Sequence, residues 1–133
     1  MGSRVQDWPL ILAATVEEWR ARAFNWEDAK CSDFAAAVST ALTGVDQRAK
    51  FPPHASQEAA AALLLEHGGM EPLVSFAFGE PKPVAKAMRG DLIVADFGHG
   101  PAVGVCVGVN ICTPGARGLV FLPTSRATAA WTV

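Results

Sequence analysis

Hydrophobic spacing changes once along this chain, at Gly90, and that change limits the folds open to it. Before Gly90, apolar residues recur at helical spacing. After it, short β-branched and apolar runs alternate with glycine-rich turns. Helices first and strands last define an α+β chain, with N-terminal helices packed on a small C-terminal antiparallel sheet. At 133 residues, half of them hydrophobic, the chain is long enough to bury a core as one domain spanning residues 1–133. It contains no internal repeat, low-complexity stretch or linker.

The elements follow from periodicity and punctuation. Asp7 is placed to cap a helix that begins Trp8-Pro9, with Leu12, Val16, Trp19 and Ala23 on one face. Phe24 to Lys30 reads as a loop. A second helix is predicted from Cys31 to Leu42, striped by Phe34, Val38 and Leu42 and ended by Gly44. Phe51-Pro52-Pro53 is extended, because residues before proline avoid the helical region. Ser56 opens a third helix that stops at Gly68-Gly69, and Glu71 to Phe78 forms a short fourth. Strands are predicted over Asp91–Asp96, Ala102–Val107 and Gly118–Leu122, with a fourth at Ala130–Val133.

Composition excludes several function classes. Net charge is −2, and no basic run interleaves with aromatics, so nucleic acid is not an expected partner. Asp7 and Pro9 interrupt the N-terminus before a secretory apolar region forms. The longest purely apolar stretch, Ala59 to Leu65, falls far short of the ~20 residues that span a bilayer. The expectation is a soluble chain made in the cytoplasm, with no membrane insertion.

Cys31, Cys106 and Cys112 are an odd set with no C-x-x-C and no zinc spacing, and the histidines are scattered. Neither a metal nor a cofactor is expected. Cys106 and Cys112 read as reduced, buried small hydrophobes. Cys31 differs, because it stands at the start of a helix. There the positive end of the dipole favours the thiolate, and Lys30 beside it favours the thiolate further, while Asp33 opposes.

Trp26, Cys31 and Phe34 on a loop-to-helix junction resemble the nucleophile segment of NlpC-type cell-wall peptidases, which are small papain-like cysteine hydrolases. Arg89-Gly90-Asp91-Leu92-Ile93-Val94 resembles that family's Gly-Asp-Leu-Val strand. Ala102-Val103-Gly104-Val105-Cys106-Val107-Gly108 resembles its His-Val-Gly-Ile-Tyr-x-Gly strand. The ordered series Asp-Trp-Pro, Phe-x-Trp-x-x-x-x-Cys-x-x-Phe, Thr-Gly-Val-Asp, Gly-Gly, Gly-Asp-Leu-Ile, Gly-Val-Cys-Val-Gly and Ala-Trp-x-Val is similar to a family of tailed-phage and prophage proteins. Their genes typically lie among tail-tip genes, where related phages encode an NlpC-type peptidase. The resemblance implies a papain-like, NlpC-like fold in a virion tail, with tail hub and distal tail proteins as partners, and peptidoglycan as a further one.

Departures from the peptidase pattern bear on activity. The position matching the catalytic histidine is Ala102, which neither takes the thiol proton nor protonates a leaving amine. The third polar residue is expected about a dozen positions later, near the third strand, and Gly118 to Pro123 is apolar. Lys30 and Glu27 replace the family's Asp and Gly. His99, in a glycine-flanked turn three residues before Ala102, is the one candidate replacement base. His67 suits a helix C-terminus, and His54 follows Pro53 in a loop. Trp8 and Trp131, if exposed, are candidate interface anchors. The expected function is a structural tail-tip component on a catalytically degenerate scaffold. The alternative is a hydrolase that uses Cys31 with His99 on peptidoglycan stem peptides. A third reading is a module that keeps the groove for recognition only.

Overall fold

The computed structural model describes residues 3–133. Its first helix, α1 (Trp8–Trp19), buries Leu12, Val16 and Trp19 on one face, as the spacing predicts. Asp7 precedes it but does not cap it with its carboxylate. Its backbone is left-handed, with φ 62°, whereas a side-chain N-cap needs an extended backbone. The Asp7 carbonyl instead accepts from the amides of Leu10 and Ile11, at 3.0 and 3.1 Å. The helix stops at Trp19, so Ala23 lies beyond it and is exposed rather than part of the buried stripe.

Helix α2 (Cys31–Thr43) is the centre of the molecule. Phe34, Val38 and Leu42 are fully buried along it, and Gly44 ends it with φ 72°. Asp33 secures its start by accepting from the Lys30 amide at 3.0 Å. A 3₁₀ turn at Arg48–Lys50 follows. Helix α3 (Gln57–His67) is capped by Ser56, whose hydroxyl accepts from Ala59 N at 3.1 Å, and it ends at left-handed Gly68. Helix α4 is Met70–Phe78.

The five strands are β1 (Leu92–Asp96), β2 (Pro101–Cys106), β3 (Asn110–Gly115), β4 (Gly118–Pro123) and β5 (Ala129–Trp131). They form one antiparallel sheet in the order β4-β3-β2-β1-β5. The sequence reading lacks β3. Pro114 lies inside it, and proline demotes a run as a strand because it donates nothing to the ladder. Here Pro114 pairs with Leu119 in a two-strand ribbon closed at Gly115 and Gly118. The ribbon docks on the end of α1: Leu119 N donates to Arg20 O at 2.9 Å, and Phe24 N to Gly115 O at 2.8 Å. A Cβ at Gly118, where φ is +122°, would collide with that Arg20 carbonyl.

Both faces of the sheet are covered, so its inner strands are apolar on both sides. Leu92, Val94, Val103, Val105 and Cys112 face the helices and join Trp19, Phe34, Val38 and Leu42 in the main core. Ile93, Ala95, Cys106, Ile111 and Ala130 face the other way, under Val84, Ala87 and Leu122. Cys106 and Cys112 therefore sit on opposite faces. All three cysteines are free, with Cys106 and Cys112 buried.

Trp131 belongs to this interior. It is 0% exposed, and its indole N–H lies 3.2 Å from Ser75 Oγ and 3.1 Å from the Gly79 carbonyl. That corrects its reading as an interface anchor: the ring joins β5 to the end of α4. Trp8 is half-buried, with the Arg4 and Arg89 guanidinium carbons 4.2 and 5.6 Å from its ring centroid. It is a cation-covered surface ring rather than a bare apolar one.

Candidate functional site

Cys31 is the first residue of α2, where the sequence places it, but its surroundings differ from those of an activated thiol. Burial pushes its pKa up. The backbone N–H groups of Val103, Ser32 and Cys31 itself pull the other way, and Asp33 adds to the rise. Desolvation dominates because the sulfur packs against the main core between α2 and β2. Lys30 does not offset it. Its ammonium is turned to the Trp26 carbonyl, at 3.2 Å, and to Asp33 Oδ2, at 2.9 Å. The expectation of a thiolate promoted by Lys30 is thus replaced by a neutral thiol.

The Val103 contact has a structural origin. Pairing of β2 with β3 stops at Val105–Cys112 and Cys106–Ile111. Val103 lies beyond it, so its polar groups on that side need other partners. Thr113 Oγ1 donates to the Val103 carbonyl at 2.8 Å, and the Cys31 sulfur faces the Val103 amide. Gly104 permits this crowding, since a Cβ there would strike the Cys112 carbonyl oxygen.

Ala102 is the neighbour of Val103 and pairs with Ala95 on β1. Directly opposed residues share a face, and successive residues alternate. Ala102 therefore lies on the Ala95 side of the sheet, away from α2. It offers Cys31 neither an imidazole nor a side chain on its own side. The strand next to β2 is β3, not the Gly118–Pro123 segment. Thr113, 3% exposed, is the buried polar residue there, and it is engaged with Val103.

His99 is exposed at the tip of the β1–β2 turn. Asp96 Oδ1 holds that turn by accepting from Gly98 N at 2.7 Å and Gly100 N at 3.1 Å. No hydrogen bond joins His99 to Cys31 among the described residues, and the two differ in exposure: His99 is exposed and Cys31 is partly buried against the core. His67 stacks on Phe76, with centroids 4.7 Å apart, at the end of α3. No group of His, Cys, Asp and Glu among the described residues is arranged to hold a metal ion.

The structure pairs a histidine that spacing had left without a role. His54 Nε2 lies 3.0 Å from Ser32 Oγ, and its Nδ1 lies 2.6 Å from the Pro52 carbonyl. A carbonyl only accepts, so Nδ1 carries a proton, and in the tautomer with hydrogen on Nδ1 alone Nε2 accepts from the Ser32 hydroxyl. Serine, base and orienting acceptor are the parts of an activated nucleophile. Ser32, however, is 6% exposed. The pair ties the extended Phe51–His54 segment to the start of α2. Only the separation of 22 residues hid it from the sequence.

The thiols give a direct test. Near neutral pH, Cys31 and Cys112 should resist a disulfide exchange reagent in the folded chain and react when it is unfolded. Burial, above all, pushes Cys112 up to about 12 from an ordinary 9.0. A raised folded pKa means that its stabilising effect is complete below pH 9.0 and is lost as pH rises toward about 12. Unfolding followed at increasing pH should therefore show the chain losing a few kcal/mol relative to its Cys112→Ala variant over that interval. A parallel decline of both proteins would refute the assignment.

Fold and site together define an α+β protein with a partly buried cysteine of raised pKa at a helix start. The chain belongs to the family described as a domain of unknown function, DUF6950, whose model matches residues 3–133. No curated protein matches the chain. No helix among the described residues is long and apolar enough to cross a membrane.

Proposed function

We propose that this chain is a structural component of a phage or prophage tail tip, on an NlpC-like, papain-like scaffold without Cys–His chemistry. The observation that carries the loss of chemistry is the setting of Cys31. The thiol starts a helix and faces the Val103 backbone amide of the second strand, and no hydrogen bond joins it to an imidazole among the described residues. Amide cleavage needs an acid for the leaving nitrogen, and among the described residues no imidazole is hydrogen-bonded to the sulfur, His54 being engaged with Ser32 and Pro52. The tail-tip assignment rests on the ordered motifs from Asp7-Trp8-Pro9 to Ala130-Trp131-Thr132-Val133. In this reading the protein binds hub and distal tail proteins through its surface.

Particles induced from the phage or lysogen that encodes the chain supply the test. Mass spectrometry of purified virions should find it, and Cys31→Ser particles should assemble and infect normally. Absence from the virion would end the tail-tip reading. Loss of infectivity in normally assembled Cys31→Ser particles would restore the hydrolase. Cleavage of peptidoglycan fragments that survives Cys31→Ser but not Ser32→Ala would also overturn the proposal, by assigning hydrolysis to the Ser32–His54 pair.

A further inference from the structure

A cavity of about 520 Å³ opens between the C-terminal half of α2, the segment after it, the end of α4 and the residues following β5. It lies at the opposite end of α2 from Cys31, roughly 15–20 Å away at 1.5 Å per residue. Its size is that of a small-ligand site.

Gln47 forms one wall. It is 7% exposed, and its Oε1 is buried with no hydrogen-bond partner among the described residues. Its Nε2 makes one stretched bond, 3.4 Å to Thr43 Oγ1. Turning the amide over does not help. The Thr43 hydroxyl already donates to the Ser39 carbonyl at 2.7 Å, so it has no proton for Oε1. One acceptor is left over in a wall that otherwise satisfies itself: Ser39 Oγ, for example, donates to the Ala35 carbonyl at 2.8 Å. The terminal torsion of glutamine is soft, so Oε1 can swing toward a donor that enters the cavity.

Lys50 supplies the second feature. It is exposed, forms no ion pair among the described residues, and holds its ammonium 4.9 Å from the Phe78 ring centroid. Phe78 and Val45 add apolar wall. An unmet acceptor, one cation and an apolar platform match a ligand with an N–H a few bonds from a single negative charge. An acylated amino acid at the end of a peptide has that form. A polyanion such as a nucleotide needs more than the one lysine in this lining.

We propose that this cavity binds the free C-terminal end of a short peptide. The carboxylate meets Lys50, the last peptide N–H donates to Gln47 Oε1, and the terminal side chain rests on Phe78 and Val45. The site is independent of the tail-tip reading and of Cys31, so either proposal can fail without the other.

The probe is N-acetyl-alanyl-phenylalanine, titrated into the full chain by NMR beside the same peptide with its carboxylate amidated. The free acid should bind saturably and shift the Gln47 side-chain amide signals. The amidated peptide, Lys50→Gln and Gln47→Leu should each weaken binding by about tenfold, the size of one charge-assisted hydrogen bond. Gln47→Leu removes the unmet acceptor, so that variant should fold at least as stably as the parent. No saturable shift up to about 10 mM peptide, or binding indifferent to both substitutions, would overturn the proposal and leave Oε1 to a water molecule.

Discussion

Asp91→Ala should cost the fold about 3–5 kcal/mol, the usual loss when one partner of a buried charge cluster is removed. Asp91 is 1% exposed, at the start of β1. Its Oδ1 accepts from Arg4 at 2.9 Å and from the Val133 amide at 3.2 Å. Its Oδ2 accepts from Lys82 at 2.6 Å and from the Met88 amide at 2.8 Å. One carboxylate thus joins the segment before α1, the connector before the sheet and the end of the chain. Arg4 reinforces the junction by donating to the carbonyls of Val133 and Arg89, at 3.0 and 2.7 Å. Alanine would leave two amides and two cations facing a void. Arg4 and Lys82 keep 12% and 21% of their side chains exposed, so each recovers part of its hydration and the loss stays within that range. Urea unfolding should show a lower midpoint with an unchanged slope. A loss under about 1 kcal/mol would mean that both cations reach water freely and that the cluster is ornamental.

This junction marks the boundary of what the sequence discloses. Gly90-Asp91-Leu92 was readable as the start of a strand, because glycine and a following apolar run are local signals. Arg4 as the partner of Asp91 was not, since the two lie 87 residues apart and neither belongs to a periodic pattern. The same division holds elsewhere. Ser56, Gly44 and Gly68 fixed helix ends correctly because a cap acts within one turn. Strand β3 was lost because Pro114 sends a local signal against strand, and the pairing with β4 overrides it. At the candidate site, Cys31 at a helix start was legible from spacing. Its raised pKa was not, because burial of the sulfur depends on packing between elements far apart in sequence. Lys30 was misjudged for a related reason: adjacency in sequence does not set the direction of a long side chain, and Trp26 and Asp33 capture this one.

Trp131→Ala should destabilise the chain by about 3–5 kcal/mol, as removal of a fully buried large aromatic usually does, and it should do so without a specific effect on any partner. The ring is completely enclosed, and Trp131 pairs with Leu92 across β5 and β1. Two costs combine. The lost ring leaves a void among core side chains, including Leu92 and Val74 of the same cluster. The lost indole N–H also leaves the Gly79 carbonyl and the Ser75 hydroxyl to find other donors. Trp131→Phe weights the two differently, since it keeps most of the volume and removes the hydrogen bonds, leaving only a small void. It should cost about 1–2 kcal/mol. The β5 strand has only three residues and is bridged on its outer side by Lys82 alone, so this side chain adds substantially to the short ladder that holds it. Amide exchange at Ala129 and Ala130 should therefore speed up in Trp131→Ala more than exchange at Val103 and Val105 in the sheet interior. If Trp131→Ala folded as stably as the parent yet was lost from the particles that the tail-tip proposal predicts, the ring would be an interface anchor after all, and the burial seen here would have to open on binding.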